Sequence, residues 1–202
     1  MSDRYNKIKK YSLVSFVIFA VFAVFGFLFN SFRPEEAELF FSSIEEELSF
    51  VEDFGFFSTF LFIFINNTIT ITIGTFLGVL FSFIPILFLL INGFVIGLVS
   101  GYVYPTFGVL GLVLSLAPHG VFELAALFIG MGSGIYLGVS AIDEIRADNL
   151  NLKSLLKSIR RLELPSEKLK GDYSYVFDIY LHVVIPLLFL AAVIESLLLV
   201  ML

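Results

Sequence analysis

Residues 107–142 read FGVLGLVLSLAPHGVFELAALFIGMGSGIYLGVSAI, and Glu123 is the one carboxylate among these 36 positions. As one straight helix the stretch would be about 54 Å long, well beyond the roughly 30 Å of a hydrocarbon core. Two full spans would place the basic residues that follow on the outer side, against the positive-inside rule. We therefore predict a half-membrane element over 107–116, a break at Pro118, and one full span from His119 to Ala141.

The rest of the chain is similarly apolar. Of its 202 residues, 58% are hydrophobic and 15% are charged, and the mean hydropathy is +0.99, whereas soluble domains carry roughly 25% charged residues. Runs of about 20 apolar residues cross a bilayer as helices, which satisfy their own backbone hydrogen bonds in lipid. We predict one all-α integral membrane domain over residues 1–202, a polytopic helix bundle with about five transmembrane helices. No nucleic acid partner is expected.

The charged residues are segregated along the chain, which predicts the orientation of the helices. One basic block precedes the first apolar run, and a second lies late in the chain. The blocks comprise Arg4, Lys7, Lys9 and Lys10, and then Arg146, Lys153, Lys157, Arg160, Arg161, Lys168 and Lys170. By the positive-inside rule both are cytoplasmic. We expect a multi-pass protein of the cell membrane with a cytoplasmic N-terminus and an external C-terminus.

The remaining spans follow from apolar runs of membrane-crossing length. They cover about Leu13–Phe29, Phe56–Leu80, Ile86–Tyr102 and Ile179–Val200. Residues 35–53 are expected to form an external acidic helix on the membrane surface. Residues 143–178 are expected to form a cytoplasmic basic amphipathic segment that lies on anionic headgroups of the lipid bilayer.

Polar side chains interrupt the apolar spans at a few positions. His119 and Glu123 are four residues apart, which on a helix places both on one face. An ionisable residue inside a membrane is by default a hypothesis for a functional site. The topology puts Glu195 at a similar depth in the outer half of the membrane. The candidates are thus the metal ligands His119, Glu123 and Glu195 and a polar cluster of Asn66, Asn67 and Asn92, all within reach of one cavity.

Two interpretations of these residues stay open. In the first they form an interhelical hydrogen-bond network that fixes the packing, with Glu123 protonated by burial. In the second, His119, Glu123 and Glu195 bind a divalent cation such as Zn²⁺, Mn²⁺ or Mg²⁺, and asparagine oxygens complete the shell. An intramembrane protease is disfavoured, because the chain has no HExxH motif and Ser133 lies in a Gly-Ser-Gly run typical of helix packing. We predict no enzymatic activity.

The motif around His119 resembles a known family. Residues 118–126 read PHGVFELAA and precede Gly130 and Gly134, and the blocks Asn66-Asn67, Asn92-Gly93 and 191–195 occur around it. In this order they resemble the stage II sporulation protein M family, from about Phe57 to the C-terminus. The resemblance implies a membrane scaffold that holds partner proteins. The namesake's role in sporulation is not carried over, because nothing in this chain marks it.

Two function classes stay open at this point. The first is a membrane scaffold whose acidic helix or basic segment recruits a membrane or extracytoplasmic protein. The alternative is an ion or small-solute transporter or channel with a cation site in the outer half of the membrane. Glycines at intervals along the spans let helices approach closely in lipid, so we expect them to serve packing. They are also compatible with a homodimer.

Overall fold

The computed structural model describes residues 2–40, 42, 55–116, 120–147, 153 and 166–201. The helices with defined bounds are α1 (Ser2–Phe32), α2 (Phe56–Phe76), α3 (Phe83–Leu116), α4 (Val121–Arg146), α5 (Glu167–Ile179) and α6 (Ile185–Met201). A 3₁₀ turn, Leu77–Val79, follows α2, and a π-helical turn, Tyr180–Val184, joins α5 to α6. These ranges contain no strand. The predicted all-α class is confirmed.

Five helical stretches in the described ranges are long and apolar enough to cross a membrane. They are Asp3–Phe32, Phe56–Val79, Phe83–Val113, Val121–Arg146 and Glu167–Leu199. Each contains most of one predicted span, so the prediction of about five transmembrane helices is confirmed. The protein is a multi-pass membrane helix bundle.

Helix α4 is the centre of this bundle. In its most apolar stretch 72% of the residues are buried, against 17% to 33% in the other four spans. Its side chains Leu127, Met131 and Ile135 form the main core with residues from the surrounding helices, among them Phe19, Ile71, Leu89 and Leu188. The outer helices expose apolar side chains on their far faces, as lipid-facing surfaces do because lipid tails are themselves apolar.

Glycines set the closest contacts between neighbouring helices. Helices α1 and α3 run parallel, with Gly93 against Phe19 and Gly97 against Ala23. A Cβ atom added at Gly93 would lie 2.5 Å from the carbonyl oxygen of Phe19, closer than real Cβ atoms approach. Gly134 of α4 lies equally close to the backbone of α2. The expected packing role is confirmed for these glycines.

Two ion pairs show which helix ends lie together. Arg4 Nε lies 2.9 Å from Asp172 Oδ1, and Lys168 Nζ lies 3.3 Å from Glu144 Oε1. The start of α1, the end of α4 and the start of α5 therefore share one end of the bundle, which we call the basic end. Cations from both basic blocks meet there, and the positive-inside rule predicts that this end faces the cytoplasm.

Helix α3 differs from the predicted boundaries. It continues past Tyr102, where the third span was expected to end, and leaves helical geometry at Gly108 (φ 62°, ψ −160°). This left-handed conformation favours glycine, so Gly108 allows the chain to turn there. Residues 117–119, including Pro118 and His119, lie outside the described residues. Helix α4 begins at Val121, and the half-membrane nature of the segment after Gly108 stays a prediction.

The last span also begins earlier than predicted. Helix α5 starts at Glu167 rather than near Ile179, and the Ser166 hydroxyl caps it by accepting a hydrogen bond from the Leu169 N–H at 3.2 Å. Hydropathy underestimates the length of this helix because its first turns carry charged side chains. The predicted basic segment 143–178 therefore includes the end of α4 and all but the last residue of α5, while residues 148–152 and 154–165 lie outside the described residues.

The acidic segment is described over its first part. Residues 34–40 and residue 42 are helical, and residues 41 and 43–54 of the predicted helix 35–53 lie outside the described residues. Arg33 donates to Glu36 through Nε at 2.9 Å. This hydrogen bond lowers the pKa of the Glu36 carboxyl below its ordinary value.

Candidate functional site

A buried carboxylate, Asp172, organises the basic end of the bundle. Its side chain is 3% exposed. It accepts hydrogen bonds from Arg4 Nε at 2.9 Å, from the Tyr136 hydroxyl at 2.7 Å and from the Ser140 hydroxyl at 2.5 Å. A charge in so dry a place needs such partners, because desolvation penalises it strongly. One carboxylate of α5 thus binds both the first helix and the central helix.

Helical spacing explains why these donors converge. Tyr136 and Ser140 are four residues apart on α4 and therefore lie on one face. Arg4 reaches this face because Gly171 leaves space beside Asp172: a Cβ atom at Gly171 would lie 2.9 Å from Arg4 Nη2. The small residue next to the carboxylate thus makes room for the guanidinium group.

The same face of α4 carries a second buried carboxylate. Glu144, four residues after Ser140, is 7% exposed in its side chain and pairs with Lys168 of α5. On the other side of α5, the Tyr173 hydroxyl donates to the Phe76 carbonyl oxygen at 2.6 Å. Helix α5 is therefore fixed to both α4 and the end of α2 by polar contacts.

A polar cavity of about 250 Å³ opens beside this network. Residues of α1, α4 and α5 line it, including the rings of Tyr11 and Tyr136. Its charged lining is balanced: three cations and three carboxylates border it, namely Arg4, Lys7 and Lys168, and Asp3, Asp143 and Asp172. Lys7 pairs with Asp3 at 2.8 Å. The cavity can therefore hold a polar molecule at the level where the helices end.

Two of the three predicted metal ligands, Glu123 and Glu195, lie at the opposite end of the bundle. Glu123 is half-buried in the first turn of α4, and Glu195 is 7% exposed near the end of α6, beside the fully buried Ser196. Because α4 runs antiparallel to the last span, both carboxylates are at the end away from Asp172. His119 lies outside the described residues. Among the residues that are described, no group of three or more His, Asp or Glu could hold a metal ion, and the proposed cation site stays a prediction.

The three asparagines occupy different environments. Asn66 is exposed on α2, whereas Asn67 and Asn92 are half-buried. Asn92 donates through Nδ2 to the Phe88 carbonyl oxygen at 2.8 Å, within its own helix. One amide of the predicted polar cluster is therefore engaged locally, and a cavity shared by all three stays a prediction.

The network around Asp172 was not found by sequence reasoning. Arg4 and Asp172 are 168 residues apart, and they lie in two charged segments that were both predicted to be cytoplasmic, the second on lipid headgroups. A signal was nevertheless present on α4, where Tyr136, Ser140 and Glu144 recur every four residues in an apolar helix. Such a polar stripe indicates a buried hydrogen-bonding face.

Comparison with known proteins places the chain in a family. A family model described as Stage II sporulation protein M matches residues 15–198. The match begins within α1, earlier than the resemblance at about Phe57 indicated. Searches of curated proteins and of solved structures each found no match.

Proposed function

The chain belongs to the stage II sporulation protein M family, and from this premise we propose that it is a non-enzymatic membrane scaffold. The observation that carries the proposal is the tight assembly around α4. Its neighbours approach it at backbone distance through glycines, and Asp172 ties α1, α4 and α5 together. A bundle so fixed suits a protein that must hold partners in a constant position.

The two ends of the bundle offer different surfaces to partners. The described part of the acidic segment exposes Glu35 and Glu38 beyond α1. The basic end carries exposed Lys9, Lys10 and Lys170. Opposite charges at the two ends favour different partners, because electrostatic complementarity selects them. The acidic segment is the proposed surface for a membrane or extracytoplasmic protein.

Site-specific crosslinking tests the scaffold. With a photo-crosslinking residue in place of Glu38, ultraviolet irradiation of native membranes is expected to yield one dominant protein adduct. Reversing the neighbouring charge with Glu35→Lys should lower its yield several-fold, since the contact is electrostatic. The same crosslinker in place of Val17, an exposed apolar position on α1, is the control and should react with lipid. Absence of an adduct at Glu38, or the same adduct at Val17, would contradict the proposed surface.

A second candidate is an ion or small-solute transporter. The observation that favours it is Glu195, a buried carboxylate and the one charged residue of α6. Ionisable residues at such positions mark ion or proton pathways in many membrane proteins. In this candidate Glu195, Glu123 and His119 bind a divalent cation in the outer half of the membrane.

Elemental analysis of the purified protein tests this second candidate. If the transporter candidate is right, the wild-type protein should contain about one divalent metal ion per chain. Glu195→Gln should lose most of this metal, because a neutral amide is a weaker ligand than a carboxylate. Glu167→Gln is the matched control, since that side chain is 89% exposed at the basic end. A wild-type protein without metal, or full metal retention in Glu195→Gln, would remove the cation site from consideration.

A further inference from the structure

The carboxamide of Asn66 lies on the lipid-facing surface of α2 without a partner in its own chain. Asn66 is exposed, and its side chain forms no hydrogen bond within the part of the chain that the structure describes, whereas Asn92 donates to a carbonyl of its own helix. The membrane-crossing stretch of α2 is Phe56–Val79. At 1.5 Å per residue, Asn66 is about 15 Å from one end of this stretch and about 20 Å from the other. An unsatisfied amide near the middle of a bilayer is strongly penalised, because lipid tails offer no hydrogen bonds.

The exposed residues around Asn66 follow the spacing of a helix–helix contact. Phe62, Asn66, Ile69 and Ile73, which we call the α2 stripe, are separated by four, three and four residues. All four are exposed, and the three apolar side chains are 44%, 53% and 39% exposed. This spacing is that of the a and d positions in a left-handed pair of helices, with Asn66 at an a position. An asparagine at one such position specifies the register, because only a matching polar group satisfies it.

We propose that the α2 stripe binds the α2 stripe of a second copy of the chain, and that the two Asn66 carboxamides hydrogen-bond to each other. Two copies inserted with the same topology carry each residue at the same depth, so a two-fold axis along the membrane normal brings Asn66 against its own copy. A carboxamide carries both donors and an acceptor and is therefore complementary to another carboxamide. A helix of a different protein would need a polar group at this depth, whereas a second copy always has one. This surface lies within the membrane and leaves both charged ends of the bundle open to other partners.

Disulfide crosslinking in native membranes tests the dimer, because the sequence contains no cysteine. Ile73→Cys places a thiol on the α2 stripe, and Leu61→Cys places one about 120° away around the same helix. The side chains of Ile73 and Leu61 are 39% and 37% exposed, so Leu61→Cys is the matched control. After mild oxidation we expect Ile73→Cys to yield a species of twice the chain mass of 22.6 kDa. Its yield should exceed that of Leu61→Cys about fivefold, because a disulfide forms only where the two Cα atoms come within about 7 Å.

The carboxamide pair is tested by changing Asn66 in the Ile73→Cys background. Asn66→Leu should lower the yield of the linked species about fivefold, since it removes the interhelical hydrogen bond and keeps an apolar surface. Asn66→Gln keeps the carboxamide and should retain most of the yield. Because Asn66 is exposed, both proteins should remain monodisperse in detergent, which separates loss of the contact from loss of the fold.

Each of the other outcomes overturns part of the proposal. Equal yields from Ile73→Cys and Leu61→Cys, or no species of doubled mass, would exclude a second copy on the α2 stripe. A linked species of another mass would assign the stripe to a different membrane protein and overturn the dimer. An unchanged yield in Asn66→Leu, or an equal loss in Asn66→Gln, would mean that the carboxamide pair does not hold the two copies together.

Discussion

Replacement of Asp172 by alanine is expected to lower the free energy of unfolding by about 2–4 kcal/mol. The change removes the acceptor of two hydroxyl groups, Tyr136 and Ser140, which are both buried, and an unsatisfied buried polar group costs about 1–3 kcal/mol. The contribution of Arg4 is small, because its side chain is 41% exposed and water can solvate it. Water from the adjoining cavity will replace some of the lost hydrogen bonds. The expected loss of stability is therefore smaller than the sum of the penalties for the two hydroxyl groups.

The measurement is the fraction of monodisperse protein after heating in detergent. For a chain of this size the expected shift of the midpoint is roughly 5–10 °C downward. Asp178→Ala is the matched control, since Asp178 lies on the same helix but is exposed, and it should shift the midpoint by less than about 2 °C. If Asp172→Ala and Asp178→Ala melt together, Asp172 does not join the helices.

The fold was predictable because the bilayer imposes a simple rule on the sequence. A helix must offer about 20 apolar residues to cross it, so α1, α2 and α4 were located from hydropathy, and the number of spans followed. The boundaries were less predictable where a helix continues beyond the apolar region. Glu167 begins a helix whose first turns are charged, and hydropathy does not register charges that are paired inside the protein.

The site was harder to predict because its parts are far apart in the chain. Glu123 and Glu195 stand out by being charged in apolar surroundings, and the structure places both at one end of the bundle. Asp172 and Arg4 have charged sequence neighbours, so nothing local distinguishes a buried member from a solvated one. Their burial depends on the packing of α1 and α5 against α4, which only the three-dimensional arrangement reveals.

Replacement of Gly134 by alanine is expected to destabilise the bundle by about 2 kcal/mol, although alanine is the better helix former. On propensity alone the substitution would stabilise α4 by about 1 kcal/mol. An added Cβ atom, however, would overlap the carbonyl oxygen of Gly74 and lie 3.1 Å from that of Thr75. These are backbone atoms of α2, so no rotamer change can relieve the contact, and overpacking of this kind costs about 1–3 kcal/mol or more. Helix α2 would have to move away from α4 and give up part of the central core.

The sign of the effect makes Gly134→Ala a sharp test of the contact between α2 and α4. Its matched control is Gly55→Ala, because a Cβ atom at Gly55 would meet nothing within 4 Å. Gly55 is the N-cap residue of α2, where alanine is less favourable than glycine, so the control should lose less than about 1 kcal/mol, and both variants can be compared by the same heating assay. A higher midpoint for Gly134→Ala would mean that the gain in helix propensity exceeds the cost of the steric overlap. In that case the backbones of α2 and α4 would not be in contact at Gly134. A midpoint for Gly134→Ala well below that of Gly55→Ala assigns the loss to that contact, because the added methyl group meets backbone atoms at Gly134 and nothing at Gly55, and helix propensity at Gly134 acts in the opposite direction.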